Sequence, residues 1–169
     1  VSSPGETRLL ATMKDGLGDA TFSPDGRWIA FTSRTPHERY EAPGAEDGDE
    51  SWQAPRKIDR FFTRLDGEGW VFDRPLHIHV VRADGTSAPR NLTPGKFQHS
   101  GVSWLRDSSG VITSAQRHDS WDTDFAVDIY FVPLDADERP DAIRCLTAHD
   151  GLYSRPTVSP DGSYVAFIG

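Results

Sequence analysis

The chain repeats one short phrase, and this repeat constrains its fold more than any other feature. The phrase occurs as Phe22-Ser-Pro-Asp-Gly-Arg-Trp-Ile-Ala-Phe31 and as Val158-Ser-Pro-Asp-Gly-Ser-Tyr-Val-Ala-Phe167, with a degenerate copy, Trp104-Leu-Arg-Asp-Ser-Ser-Gly-Val-Ile-Thr113, between them. Proline sets φ at the first central position of a turn, aspartate bonds its own backbone, and glycine adopts positive φ. Alternating residues then follow as in a strand. Each copy predicts a β-hairpin, and the recurrence predicts a repeat architecture.

The spacing of the copies indicates the blades of a β-propeller. Phe22 and Trp104 are 82 positions apart and Trp104 and Val158 are 54 apart. Because a four-stranded blade takes roughly 40–50 residues, the first interval is one blade with a long insertion and the second is one blade with a modest insertion. The predicted strands are residues 20–23, 28–33, 77–82 and 90–92 in the first blade, 101–104, 110–115, 128–134 and 144–146 in the second, and 155–159 and 164–168 in a third. Because almost no helical periodicity is present, we predict an all-β chain.

The repeats divide the chain into the parts of a single propeller segment. They are residues 1–19, with the outer strand of a preceding blade at 8–12 and a linker; residues 20–99, a blade with a long insertion at 35–75; residues 100–153, a second blade; and residues 154–169, the first strands of a third. A propeller closes with about 4–8 blades. We therefore expect about two complete blades plus parts of two flanking ones, from a longer polypeptide.

Composition narrows the class of protein further. Of the 169 residues, 36% are hydrophobic and 26% are charged, which is typical of a soluble protein with a core. The net charge of −8 argues against a nucleic-acid partner, and no apolar run is long enough for a membrane span. The single cysteine, Cys145, excludes an internal disulfide. Without a signal peptide, these features predict a cytoplasmic protein with no membrane partner.

The residue patterns predict no catalytic, metal or cofactor site. Gly101-Val-Ser-Trp-Leu105 lacks the second glycine of a serine-hydrolase elbow, and Cys145 has no nearby histidine at a helix start to lower its pKa. His77 and His79 face the same side of one predicted strand, but no further ligand at metal spacing accompanies them. The segment Asp119-Ser-Trp-Asp-Thr-Asp124 resembles a calcium loop loosely and lacks its glycine and distal glutamate. An ordinary inter-strand loop is the simpler interpretation of that segment.

The long insertion is the segment most suggestive of binding. Between Ile58 and Arg74 it concentrates arginines and aromatic residues in a connection between two strands. Long loops of this kind are usually functional, arginine recognises carboxylates or carbonyls, and aromatic faces form apolar subsites. The residues expected to bind substrate are Arg60, Arg64, Arg74, Trp70 and Phe62. The alternative is that the aromatic side chains only fasten the insertion to its blade.

Four stretches of the chain carry a resemblance to a known family. They are the Ser-Pro-Asp-Gly hairpins, Arg60-Phe-Phe-Thr-Arg-Leu-Asp-Gly-Glu-Gly-Trp70, Asp73-Arg-Pro-Leu-His-Ile-His-Val-Val81, and Ser114-Ala-Gln-Arg-His-Asp119 with Val127-Asp-Ile-Tyr-Phe-Val132. Together they resemble the propeller domain of the prolyl oligopeptidase family, in its acylaminoacyl-peptidase-like branch. The resemblance implies a seven-bladed propeller that caps an α/β-hydrolase domain outside this chain.

The same resemblance implies a function, although no catalytic residue falls in this chain. The chain would be the lid and substrate-selecting domain of a serine-type exo- or oligopeptidase that hydrolyses short or N-acylated peptides. Its partners would be a peptide substrate and the C-terminal hydrolase domain of the same polypeptide. The resemblance leaves open whether the protein forms a homo-oligomer. One alternative is a non-catalytic propeller scaffold for protein–protein interaction, similar to the periplasmic propeller of the Tol system. Another is a propeller enzyme with its site in the central channel.

Overall fold

Two four-stranded antiparallel sheets and two further strand pairs form the computed structural model, which describes residues 7–37 and 55–169. The strands are β1 (Gly18–Phe22), β2 (Trp28–Arg34), β3 (Arg64–Leu65), β4 (Gly69–Trp70), β5 (Leu76–Arg82), β6 (Arg90–Asn91), β7 (His99–Trp104), β8 (Gly110–Ala115), β9 (Asp128–Pro133), β10 (Arg144–Cys145), β11 (Ser154–Val158) and β12 (Val165–Ile168). The first sheet has the order β1-β2-β5-β6, the second β7-β8-β9-β10, and β11 pairs with β12. Each sheet follows chain order, as the strands of a propeller blade do.

The Ser-Pro-Asp-Gly turns owe their shape to one carboxylate. In the first turn Asp25 Oδ1 accepts hydrogen bonds from Ser23 Oγ at 2.6 Å and from the backbone amide of Arg27 at 3.0 Å. The corresponding carboxylate, Asp161, accepts the same two bonds at the same distances in the third turn. Gly26 lies at φ +70°, a conformation that favours glycine. The sequence therefore forms the same turn twice for the same local reason.

The degenerate turn keeps this backbone without glycine. Ser108 occupies the position of Gly26 and lies at φ +61°, while Asp107 Oδ1 accepts from the amide of Ser109 at 3.0 Å. The hydroxyl of Ser108 accepts a hydrogen bond from the backbone amide of Asp25 at 3.1 Å. The substitution thus adds a bond between the turns of neighbouring blades.

A second repeat lies inside the first strand of each blade. Asp19, Gly101 and Arg155 each stand three residues before the end of that strand and have φ of +51°, +69° and +53°. The strand register shifts at each of these points, which defines a β-bulge. Because positive φ is costly for side chains other than glycine, its recurrence at Asp19 and Arg155 indicates that the bulge shapes every blade.

The core lies between the first two blades. Ile78 and Val80 of β5, Val111 of β8 and Val132 of β9 are fully buried and belong to one hydrophobic cluster. Burying an aliphatic side chain of this size stabilises a fold by about 1.5–3 kcal/mol. Trp104 joins the cluster, and its indole Nε1 donates to the carbonyl oxygen of Thr21 at 3.1 Å. Apolar packing and a cross-blade hydrogen bond thus hold the two blades together.

The structure confirms the predicted fold class, an all-β partial β-propeller. Every predicted strand from residue 20 onward is present to within two residues at either end. The structure assigns no strand to residues 8–12, whose partners would belong to a preceding blade, so that assignment stays a prediction. Residues 38–54 of the predicted insertion lie outside the described residues. Within the described ranges, no helix is long and apolar enough to cross a membrane.

Candidate functional site

The antiparallel order of the strands separates the connections into two groups. The Ser-Pro-Asp-Gly turns lie at one end of the sheets, which we call the turn end. The connections after β5 and after β9 lie at the turn end as well. The connections after β2, β6, β8 and β10 lie at the opposite end, which we call the loop end. Its described segments are residues 35–37 with 55–75, 92–98, 116–127 and 146–153. The loop end carries the insertion and three of the six histidines, His37, His118 and His149. The loop end therefore carries the residues that the sequence predicts to bind substrate.

Part of the insertion folds on itself as a small hairpin. Arg64 of β3 lies opposite Trp70 of β4, and its guanidinium carbon is 5.8 Å from the centroid of the indole ring. Arg74 Nε donates to the carbonyl oxygen of Trp70 at 2.6 Å, and Arg74 Nη1 contacts Asp15 at 2.9 Å. Arg74 Nη2 also donates to the carbonyl oxygen of Glu68. The bonds of Arg74 therefore hold the hairpin together and fasten it to the segment before β1.

Another part of the insertion reaches the second blade. Arg60 Nη1 donates to the carbonyl oxygen of Phe72 at 3.1 Å, and its guanidinium carbon lies 5.2 Å from the centroid of the Trp121 ring. Trp121 meets Phe97 edge-on, with 5.9 Å between ring centroids. The side chain of Lys96 lies within 5.8 Å of both rings. A cationic and aromatic cluster thus joins the two blades at the loop end.

Asp122 fixes the backbone at the tip of this contact. One carboxylate oxygen accepts from the amide of Phe61 at 2.8 Å, and the other accepts from the amide of Phe62 at 3.3 Å. With the backbone held in this way, the rings point away from the core. Phe61 is 87% exposed and Phe62 is 47% exposed. Phe125, in the same loop as Asp122, is also 87% exposed. We call Arg60, Phe61, Phe62, Trp121 and Phe125 the loop surface.

The structure separates the five predicted binding residues into two groups. Arg64, Trp70 and Arg74 belong to the hairpin, whereas Arg60 and Phe62 lie at the contact with the second blade. Their role in binding substrate stays a prediction. Sequence reasoning missed the partners of the insertion, Trp121 and Asp122, because they lie about 60 residues further along the chain. The sequence did contain one indication of this contact, the acidic segment Asp119–Asp124. In the structure, Asp122 of this segment accepts hydrogen bonds from backbone amides of the insertion.

The histidines of β5 have structural roles. His77 Nδ1 lies 2.9 Å from the hydroxyl of Thr35, and His77 Nε2 lies 3.0 Å from the carbonyl oxygen of Gly95. Burial lowers the pKa of His77 to about 4 and also lowers the pKa of His79. His79 stacks on Phe31 with 5.5 Å between ring centroids. Both side chains are therefore neutral, buried parts of the first blade at neutral pH.

A separate cluster consists of His118, Asp128 and His149. Donor atoms of these three side chains all lie within 4.8 Å of one another. Asp128 is fully buried at the start of β9, and its carboxylate lies 2.5 Å from His149 Nδ1. Burial raises the pKa of Asp128, but hydrogen bonds from Thr147 and His149 outweigh this effect and hold the pKa below its ordinary value. Asp128 is therefore an anion at neutral pH.

The fold and the loop end define a β-propeller segment with aromatic residues exposed on fixed loops. No protein-family model and no curated protein matches the chain. Among solved structures, the chain is similar to TolB from Acinetobacter baumannii, with a TM-score of 0.57 and 16% identity over 99% of this chain and 30% of that one. It also matches a protein assigned as TolB from Agrobacterium tumefaciens, with a TM-score of 0.45 and 18% identity over 95% of this chain and 56% of that one.

These comparisons correct the expected resemblance to the prolyl oligopeptidase family. The structure matched with a TM-score above 0.5 is a TolB protein and not a peptidase, so the predictions of the prolyl oligopeptidase family and of a peptidase lid are wrong. The physical reason lies in the motifs. The Ser-Pro-Asp-Gly turn is held by hydrogen bonds within the turn itself, and propellers of different families share it. In the insertion, Arg74 holds the hairpin through backbone carbonyls, so its spacing from Trp70 follows from local folding as readily as from substrate binding.

Proposed function

We propose that the chain is part of a non-catalytic β-propeller that binds a protein partner through the loop surface. The likeness to the TolB propeller in fold supports a scaffold of this kind. The observation that carries the proposal is the exposure of Phe61 and Phe125, which are each 87% accessible. Asp122 meanwhile holds the backbone of Phe61 in place. Exposed apolar rings on an ordered surface mark interaction sites more often than isolated exposed residues do.

The loop surface has the chemistry of a protein interface. Aromatic and arginine side chains are enriched in the cores of interfaces and contribute most of the binding energy there. Because Asp122 already fixes the amides of Phe61 and Phe62, ordering this backbone adds little to the entropy cost of binding. Arg60 stacks on Trp121, which adds a further aromatic ring and a cation to the loop surface.

The charges around these rings suggest the chemistry of the partner. Lys96 Nζ lies 5.1 Å and the guanidinium carbon of Arg117 lies 4.9 Å from the centroid of the Phe97 ring. With Arg60 on Trp121, three cations border the aromatic cluster in a chain whose net charge is −8. Asp59 lies 3.7 Å from Arg60 and the carboxylate of Asp122 lies beside Phe61, so a partner that presents apolar side chains with charges of both signs at their rim fits this arrangement.

The proposal is tested by variants expressed in the native cells at normal level. Phe61→Ala combined with Phe125→Ala removes both exposed rings without touching the core. We expect the recovery of the bound partner to fall at least about tenfold, as for interface residues that each contribute more than about 1 kcal/mol. Arg27→Ala, an exposed position at the turn end, is the matched control and leaves recovery unchanged. Equal recovery with the phenylalanine variant would refute the loop surface as the binding site.

A further inference from the structure

His118, Asp128 and His149 come from three segments that meet at the loop end of the second blade. His118 belongs to the loop before β9, Asp128 begins β9, and His149 lies in the loop after β10. We propose that they form a site for a divalent transition-metal ion, with Zn²⁺ as the type case. The proposed ligand atoms are Nδ1 of each histidine and Oδ2 of Asp128, because Oδ2 lies 3.9 Å from His118 Nδ1 and 2.5 Å from His149 Nδ1. Imidazole with one carboxylate suits zinc and its neighbours in the transition series and not calcium or magnesium.

The strongest observation is the buried nitrogen of His118. His118 Nε2 lies 2.9 Å from a carboxylate oxygen of Asp124, which can only accept a hydrogen bond from it. In the neutral ring Nε2 therefore carries the proton, and Nδ1 presents its lone pair. This buried Nδ1 makes no hydrogen bond in the described structure and lies 3.9 Å from Asp128 Oδ2. A lone pair and a carboxylate oxygen facing each other repel, and a proton on Nδ1 or a metal ion between the two atoms removes that repulsion.

Asp128 is oriented as metal-binding carboxylates usually are. Its Oδ1 accepts hydrogen bonds from the hydroxyl of Thr147 at 2.7 Å and from the backbone amide of His149 at 3.0 Å. These bonds leave Oδ2 directed towards the two imidazoles. Asp124 orients His118 in the same way, through the ring nitrogen that does not face the cluster. Outer carboxylates of this kind fix the ring and its tautomer and raise its basicity as a ligand.

His149 supplies the accessible side of the site. It lies at φ +59°, a conformation that costs a residue other than glycine about 1–2 kcal/mol. Its side chain is about half exposed, so an ion can enter from solvent and a water can fill the fourth position. In a tetrahedral zinc site the ligands lie about 2.0–2.2 Å from the metal and hence roughly 3–3.5 Å from one another. On metal binding, the 2.5 Å distance from His149 Nδ1 to Asp128 Oδ2 would lengthen into this range. The 3.9 Å distance from His118 Nδ1 to Asp128 Oδ2 would shorten into it.

A metal at this position would fix the connection that leads from the second blade into the third. The backbone of Val127, next to Asp128, bonds the loop that contains His149: its amide donates to Gly151 at 3.0 Å, and its carbonyl accepts from Tyr153 at 2.9 Å. β11 begins directly after this loop. The ion would therefore hold together the loop before β9 and the loop that leads into the next blade. This inference is independent of the proposed protein partner.

The test measures zinc binding by the untagged, full natural chain with titration calorimetry and metal analysis. The wild type is expected to bind one Zn²⁺ that both His118→Gln and His149→Gln lose. His37→Gln, which removes an exposed histidine elsewhere at the loop end, keeps it. Asp124→Asn retains the stoichiometry but weakens affinity by about 10–100-fold. Because a deprotonated donor set is required, binding releases protons, and the measured enthalpy changes with the ionisation enthalpy of the buffer.

A spectroscopic readout separates a site from nonspecific adsorption. Co²⁺ in place of zinc is expected to give the visible absorption of a tetrahedral nitrogen and oxygen site in the wild type, and none in His149→Gln. Circular dichroism of the metal-free variants establishes that they fold, which His149→Gln should do because its ring is half exposed. The absence of zinc binding in the wild type would overturn the proposal. So would binding that survives both histidine substitutions.

Discussion

The backbone amide of Asp25 donates a hydrogen bond to the side-chain oxygen of Ser108 at 3.1 Å and so joins the turns of two successive blades. Ser108 occupies the position that is glycine in the intact repeat, and its positive φ costs about 1–2 kcal/mol in backbone strain. The hydroxyl offsets part of that strain by giving Asp25 an acceptor. Ser108, which departs from the repeat sequence, therefore makes a hydrogen bond between two blades.

This relationship predicts an order of stability for two substitutions. Ser108→Ala keeps the strained backbone and removes the acceptor, so it lowers the free energy of unfolding by about 1–2 kcal/mol. Ser108→Gly removes the same acceptor but relieves the strain, so its cost is smaller by about 1 kcal/mol. Urea titration of the full-length protein measures both. A glycine variant less stable than the alanine variant would contradict this account of the turn.

The two arginines of the hairpin are predicted to differ although the sequence makes them look equivalent. Arg74 bonds two backbone carbonyls and Asp15, so Arg74→Ala should cost about 1–3 kcal/mol of stability. Arg64 is exposed and stacks on Trp70, so Arg64→Ala should change stability by less than about 0.5–1 kcal/mol. Thermal unfolding compares the two variants. Equal effects would show that Arg74 does not hold the hairpin.

Asp122 is predicted to control the order of the exposed phenylalanines. Asp122→Ala removes the acceptor for the amides of Phe61 and Phe62. Both amides should then exchange their hydrogens faster, by about tenfold if the two bonds together contribute on the order of 1.4 kcal/mol to local stability. Hydrogen exchange resolved to single amides measures the effect, with the β5 amides as the internal reference. Unchanged exchange at both amides would mean that another contact orders this loop.

Stability should fall as the pH is lowered from about 7 to about 4, and His77 contributes to this. Its pKa is about 4 in the folded protein because of burial, against 6.5 for an exposed histidine. The unfolded chain therefore binds a proton below pH 6.5 that the folded protein excludes down to about pH 4. The contribution is present above pH 6.5 and is lost progressively below it, to a total of about 3 kcal/mol.

Substitution of His77 checks this assignment. His77→Gln keeps a polar side chain but cannot titrate, so the stability of the variant should depend less steeply on pH between 7 and 4 than that of the wild type. His79 and His99 are also buried and have lowered pKa values, so the stability of the variant should still depend partly on pH. Denaturant titrations at several pH values give the slopes. Identical slopes would show that His77 takes up its proton equally in both states.

The strands and hairpins could be predicted from the sequence because their causes are local. Ser23, Asp25 and Gly26 specify the turn within four residues, and the alternation after Trp28 specifies the strand. The bulges at Asp19 and Arg155 escaped prediction because arginine does not favour positive φ, and aspartate, which tolerates it, occurs at many other positions of the chain. Their conformation follows from the packing of the blade and not from the residues themselves.

The loop end could not be predicted in the same way, because its contacts join distant parts of the chain. Phe61 meets Asp122 only when both blades have formed, and His118 meets Asp128 and His149 only when the strands of the second blade have paired. The arginine and aromatic residues of the insertion were recognised as unusual, but their composition alone fits both substrate binding and local folding. The family resemblance favoured the first interpretation, and the comparison with solved structures overturned the peptidase on which it rested.

The most direct test of the protein-binding proposal is a map of photo-crosslinks in native cells. A photoreactive phenylalanine analogue replaces Phe61 or Phe125 at the loop surface, and Arg27 or Thr86 at the turn end, one position at a time. We expect the same partner protein to be crosslinked from Phe61 and from Phe125, and not from the turn end. Crosslinks that are absent from the loop surface, or confined to the turn end, would contradict a partner bound at these rings.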